Sequence, residues 1–168
     1  MNEEIFTNDD MILLQSFLRN NKQTITCAES CTGGMIASMI TQASGSSSIF
    51  KGSVVTYCNE IKEQELGVSK QTMIDNGAVS VEVVNEMLRG VLKKFDASYA
   101  VAVSGVAGPG GGTKNKPVGT VVIGMNTNTG EVDTDVHHFE GDRISVQKQA
   151  AQMALKKVLK FIQKTLDK

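Results

Sequence analysis

Between Thr24 and Ile40 the chain reads TITCAESCTGGMIASMI, and this stretch decides the fold. Thr24 to Cys27 is short and β-prone, polar and glycine residues follow at once, and Met35, Ile36, Met39 and Ile40 then recur along one helical face. Strand, turn and helix in immediate succession form the unit from which α/β proteins are built. The turn places hydroxyls and bare backbone at a helix start, where unpaired amides and the positive end of the helix dipole attract anions. A phosphate or an oxyanion suits that position, and glycine lets a substrate approach the backbone closely. Ser30 or Thr32 is equally compatible with a plain helix cap.

Upstream, Asn8, Asp9 and Asp10 offer cap oxygens to a helix that carries Met11, Ile12, Leu14, Phe17 and Leu18 and ends near Asn20 and Asn21. Downstream, Ser44 to Ser48 reads as a polar loop and Phe50 to Cys58 as a second strand, rich in β-formers. Asn59 to Leu66 is expected to be a short helix closed by Gly67, with another short helical turn after Ser69. Ser80 is placed to cap a longer helix whose Val81, Val84, Met87, Leu88, Val91, Leu92 and Phe95 share a face. Tyr99 to Val103, Val118 to Met125 and Val132 to Phe139 read as strands, the last two joined as a hairpin through Asn126 to Gly130. A final helix begins near Asp142, with an apolar stripe from Val146 to Leu166. Strands among helices early and paired strands late imply a mixed sheet with helices on both faces.

The totals narrow the function. A chain of 168 residues with 40% hydrophobic content is expected to form one domain spanning residues 1–168. Seventeen basic residues against eighteen acidic ones give a formal charge of -1, so no net field gathers nucleic acid or an anionic membrane. The opening run Met1-Asn2-Glu3-Glu4 is acidic and no apolar stretch approaches membrane-spanning length, so a soluble, cytoplasmic protein is expected. Cys27, Cys31 and Cys58 are odd in number and lack paired spacing, which argues against a disulfide framework and a thiolate zinc site. With no Trp and 5% aromatics, a base-stacking surface has little to work with.

Further clusters carry possible chemistry. Gly45-Ser46-Ser47-Ser48 brings hydroxyls and amides toward the same end of the sheet, unless it is simply a loop. The segment from Thr56 to Lys62 holds what a hydroxyl nucleophile needs. A desolvated lysine loses its proton near neutral pH, which makes Lys62 the candidate base, and Tyr57 can relay or donate a proton. Most lysines on short helices are instead solvated. Ser104 to Thr113 spends glycine heavily at the end of an apolar strand, where α/β folds put ligand loops. The concentration fits a tight path around a ligand, a lid, or a flexible connection before Pro117. It is not a P-loop, because Lys114 follows Thr113 rather than a glycine. His137 and His138 are adjacent on a strand, point to opposite faces, and so make a poor metal clamp. Arg143 either grips a phosphate or merely starts the last helix, and Cys31 is a secondary candidate nucleophile without a nearby histidine.

Taken together, Thr26 to Gly34, Gly45-Ser46-Ser47, Val55 to Glu60, Gly77-Ala78-Val79-Ser80 and Ser104 to Gly111 resemble, in order and spacing, the CinA C-terminal domain family, stand-alone form. The resemblance runs from about Asn8 to the final helix. It implies a three-layer α/β/α sandwich with a mixed, mostly parallel sheet ending in an antiparallel hairpin, usually paired into dimers. It also implies hydrolysis of the carboxamide of nicotinamide mononucleotide to nicotinic acid mononucleotide and ammonia, without cofactor or metal. In many members a nucleotide-pyrophosphatase-like domain precedes this one, so only the deamidase activity is expected to carry over. Cys58 stands where the family more often has serine, and Ile61 where it often has alanine.

The mechanism expected on this basis has Ser30 attack the amide carbon while Lys62 takes its proton, directly or through Tyr57. The amides of Cys31, Thr32, Gly33 and Gly34 are expected to hold the oxyanion, although the same amides would also suit the phosphate. Ser46, Ser47, Asn59, the loop glycines Gly105, Gly108 and Gly110, and Arg143 are the expected contacts to the rest of the substrate. The alternatives are a domain that binds a nucleotide or partner protein without turnover, and an amidohydrolase or kinase for another phosphorylated metabolite.

Overall fold

The computed structural model describes residues 4–168; of the acidic opening run, Met1, Asn2 and Glu3 lie outside the described residues. In chain order the elements are α1 (Asn8–Asn20), β1 (Ile25–Glu29), α2 (Met35–Thr41), a single 3-10 turn (Ser46–Ser48), β2 (Phe50–Val55), α3 (Asn59–Leu66), α4 (Lys70–Asn76), α5 (Val81–Phe95), β3 (Tyr99–Gly105), β4 (Thr120–Thr127), β5 (Val132–His138) and α6 (Arg143–Leu166). Among the described residues the sheet order is β2-β1-β3-β4-β5. β1 pairs in parallel with both β2 and β3, whereas β4 is antiparallel to β3 and to β5. Four of the five strands therefore run one way, and the sheet closes on the expected hairpin.

Alternation along the strands sorts the two faces. Ile25 and Cys27 on β1, Tyr99, Val101 and Val103 on β3, and Val121, Ile123 and Met125 on β4 pack with residues of α1, α2 and α6 in one cluster. Ala28, Ala100, Ala102 and Val122 face the other way, against α5 and the Leu66-Val68 end of α3. The small residues on this second face let α5 approach closely. A Cβ at Gly124 would stand 2.9 Å from both Leu88 and Val84 of α5. Two helical layers around one sheet give the three-layer sandwich.

The element ends differ from the sequence reading for local reasons. Thr7, rather than Asn8 to Asp10, caps α1, and it does so reciprocally with Asp10 in a capping box. β1 extends to Glu29 because Ala28 and Glu29 still pair with Val54 and Val55. β2 ends at Val55, three residues early, since Cys58 already has the extended backbone of a helix cap for α3. β4 starts and finishes two residues later than expected. Its last residue, Thr127, accepts the Gly130 amide at 3.0 Å and donates its own to Glu131 at 2.9 Å to close the hairpin. Gly67 closes α3 with a φ of 67°, and Ser80 and Asp142 cap α5 and α6 through their side chains, as the sequence indicates.

Parallel neighbours end together. Ala28 of β1 stands opposite Ala102 of β3, and Glu29 opposite Val55 of β2, so the segments that follow these three strands emerge along one edge of the sheet.

Candidate active site

Ser30 follows directly on the last residue of β1 and is buried. Pairing continues one step past the strand, where the Thr56 amide donates to the Glu29 carbonyl at 2.8 Å. The Thr56 carbonyl is thereby held beside Ser30, and it accepts a hydrogen bond from Lys62 Nζ at 2.8 Å. The same Nζ reaches Ser30 Oγ at 3.1 Å. Lys62 points inward because it and Leu66, four residues apart, form the buried face of α3. Its side chain is only 1% exposed. Desolvation by burial lowers its pKa from 10.5, with the nearby Cys31 and Cys58 sulfurs acting in the opposite sense. No carboxylate contributes to that balance.

A cavity of about 310 Å³ opens in front of this pair, lined by Ser30, Cys31, Tyr57, Val79, Arg143 and the glycine loop from Gly105 to Gly111. Lys62 sits behind Ser30 rather than on the cavity wall. A larger hollow of about 550 Å³, between α1 and the end of α2, contains none of the candidate catalytic groups. The chemistry, rather than the size of the cavity, locates the site.

Arg143, the first residue of α6, straps the cavity mouth. One of its nitrogens donates to the Gly108 carbonyl at 2.6 Å and another to the Tyr57 hydroxyl. Tyr57 is exposed, at 58%, and its hydroxyl is engaged by Arg143 rather than by Ser30 or Lys62. Of the two routes expected, direct transfer and relay through Tyr57, the 3.1 Å Lys62-Ser30 contact matches the direct one. The glycine loop is fastened to β4 and its approach, with Val106 and Gly119 donating to Thr120 and Val106 at 2.8 Å each. Gly108 has a φ of +84°, and a Cβ there would lie 2.4 Å from Val118. Only glycine lets the loop pass so closely.

Of the expected substrate contacts, Cys31, Gly105, Gly108, Gly110 and Arg143 meet at the cavity. Thr32, Gly33, Gly34 and Asn59 do not line it. Ser46 and Ser47 stand at the opposite end of the sheet, because the turn they form leads into the start of β2, which pairs with the start of β1 at Ile25. Cys31 lies on the wall, but burial pushes its thiol up to about 12, so it is a poor nucleophile at neutral pH. His137 bonds Asp135 at 2.8 Å and His138 faces Thr120, which leaves the two histidines occupied separately.

The acceptor at the start of α2 turns out to be internal. Glu29 is fully buried, and its Oε1 accepts the Thr32 hydroxyl at 2.7 Å, the Ile36 amide at 2.9 Å and the Gly34 amide at 3.2 Å. Its Oε2 accepts the Ala37 amide at 3.0 Å. The Gly33 amide bonds the Ser30 carbonyl at 3.0 Å. Of the four amides expected to hold an oxyanion, only those of Cys31 and Thr32 lack a hydrogen bond to another described residue. Sequence reading missed Glu29, Thr56, Val79 and Gln147, whose side-chain amide bonds the Cys31 carbonyl at 2.8 Å. A glutamate just before a helix start was the one signal available, since carboxylates are favoured there.

Residues 11–162 match the family described as the CinA C-terminal domain. The chain is 48% identical over 149 residues to the nicotinamide-nucleotide amidohydrolase PncC of Escherichia coli K12, covering 88% of this chain and 90% of that protein. It is also 48% identical over 151 residues to a CinA-like protein of Endomicrobium trichonymphae, of whose length it spans 35%. A crystal structure of a competence-damaged protein (CinA) superfamily protein from Klebsiella pneumoniae superposes with a TM-score of 0.88 at 32% identity, covering 92% of this chain and 96% of that one.

Proposed function

Because the chain belongs to the CinA C-terminal domain family, we propose that it is an amidohydrolase that converts nicotinamide mononucleotide to nicotinic acid mononucleotide and ammonia, with Ser30 as nucleophile. The observation that carries the reading is a serine hydroxyl at the cavity wall, 3.1 Å from a buried lysine amine. Together with the near full-length likeness to a nicotinamide-nucleotide amidohydrolase, it favours turnover over simple binding.

The chemistry runs in two halves. Lys62, in the neutral form that burial makes more accessible by lowering its pKa, uses one N–H to stay on the Thr56 carbonyl and its lone pair to accept the Ser30 proton. Ser30 Oγ bonds to the carboxamide carbon, and the carbonyl electrons move to oxygen, where the backbone amides that follow Ser30, beginning with Cys31 on the cavity wall, are the donors for that charge. The lysine ammonium then passes its proton to the departing nitrogen, the C–N bond breaks, and ammonia leaves an ester on Ser30. Water attacks that ester and gives its proton to Lys62. The Ser30–acyl bond breaks as Lys62 returns that proton to Ser30 Oγ and is again neutral, and the acid product gives up water's second proton to solvent as it leaves as the carboxylate. Arg143 commits two of its five N–H donors to Gly108 and Tyr57 and keeps the others for the substrate phosphate, beside the amides of the glycine loop.

Ammonia release from nicotinamide mononucleotide by the purified protein, with the nucleotide product identified by chromatography, tests the reading. Ser30→Ala is expected to abolish release while melting like the wild type. Tight binding of the mononucleotide without release would favour a binding role, and undiminished activity of Ser30→Ala would end the serine mechanism.

A further inference from the structure

Among the described residues Glu29 is the one fully buried carboxylate, and the catalytic reading leaves it unused. Its two oxygens meet the Thr32 hydroxyl, three amides of the Gly34–Ala37 segment, and the Cys27 thiol at 3.9 Å. All five are donors and none is an acceptor, so every contact uses the acceptor capacity of the two oxygens. The side chain reaches from the end of β1, over the turn that carries Ser30, to the first residues of α2. That turn contains two successive left-handed glycines, Gly33 at φ 62° and Gly34 at φ 103°, so its own backbone does little to hold one shape. At the other side of the same residue, the Glu29 carbonyl takes the Thr56 amide at 2.8 Å, and the Thr56 carbonyl takes the Lys62 amine at 2.8 Å. Glu29 is thus tied to the turn that carries the nucleophile through its side chain, and to the base through its main chain and Thr56.

From this arrangement we propose that Glu29 is a positioning residue for the Ser30-Lys62 pair: its carboxylate pins the Ser30–Gly34 turn to α2 and holds the hydroxyl within reach of the amine. The proposal rests on the Ser30-Lys62 reading above. It has a second consequence, since the carboxylate fills the amides at the start of α2 and excludes a substrate anion from them. Substrate phosphate is thereby directed to Arg143 and the glycine loop.

The full chain is tested as Glu29→Ala and as the isosteric Glu29→Gln. Two readouts are followed: steady-state hydrolysis of nicotinamide mononucleotide, and acylation of Ser30 by a fluorophosphonate probe detected by mass spectrometry. A wild type that neither hydrolyses nor labels would defeat the functional reading itself. Given an active wild type, kcat in Glu29→Ala is expected to fall on the order of 10²-fold, the loss that an ångström of misplacement produces, with KM nearly unchanged and probe labelling slowed in parallel. Added formate, which replaces the missing carboxylate, is expected to restore part of both rates saturably, whereas chloride is not. A folded Glu29→Ala or Glu29→Gln with wild-type kcat and labelling overturns the proposal. So does a loss of fold in both variants that formate does not reverse, because Glu29 would then serve stability alone.

Discussion

Replacing Lys62 with methionine keeps a long apolar stem and removes the amine that stands 3.1 Å from Ser30. A positioned general base contributes roughly 10² to 10⁴ in rate, so kcat/KM is expected to fall by about that factor. The pH dependence carries the sharper information. A lysine at its ordinary 10.5 would be neutral in roughly one molecule in 3,000 at pH 7, and each unit of lowering multiplies that fraction about tenfold. Wild-type kcat/KM should therefore climb about tenfold per pH unit up to the lowered pKa of Lys62 and level off above it, while Lys62→Met lacks this limb. Stability has a matching signature. A folded pKa below the unfolded one means that the unfolded chain binds more protons between the two values. Unfolding free energy therefore rises with pH across that window, and the rise is complete above about pH 10.4. Ammonia release and urea melts of both proteins, from about pH 6 to about pH 10, read the two effects side by side. A flat wild-type rate profile, or a Lys62→Met variant with more than about a tenth of wild-type activity, would refute the assignment of Lys62 as base.

Other outcomes follow from particular contacts. Arg143→Ala removes a charged donor from the cavity mouth, so KM for the mononucleotide should rise about 10- to 100-fold while kcat holds; an equal rise for the phosphate-free riboside would exclude phosphate recognition by this residue. Cys31→Ala should stay within about threefold of wild-type kcat/KM, because its buried thiol is protonated at neutral pH, and a collapse in activity would instead make sulfur the nucleophile. Gly90→Ala would put a Cβ 2.0 Å from the Leu66 carbonyl, where α5 crosses the end of α3. Overpacking of about 1–3 kcal/mol is expected, read as a lower Tm, and an unchanged melt would show that the two helices part freely.

Much of the architecture was legible before any coordinates because it is written in local patterns. The strand-turn-helix at Thr24–Ile40, the capping serine at Ser80, the glycine at Gly67 and the stripe of α6 each rest on contacts within a few residues. Where boundaries shifted, long-range pairing overruled local propensity. Glu29 reads as turn yet pairs with Val55, and Thr56 to Cys58 reads as strand yet turns toward α3.

The sequence by itself determined which groups are available: a serine and two glycines after a strand, a lysine on the next short helix, a glycine-rich loop, and an arginine at a helix start. Tertiary structure alone decided which of them meet. Parallel pairing of β1 with β2 and β3 carried Ser30, Tyr57 and Gly105 to one edge and sent Ser46 and Ser47 to the other. Burial in turn desolvated Lys62, the base the sequence offered, and gave Glu29, rather than a ligand, the amides of α2. Such decisions are physical consequences of desolvation and of hydrogen-bond competition between residues far apart in the chain, and neither is encoded in the spacing of nearby residues.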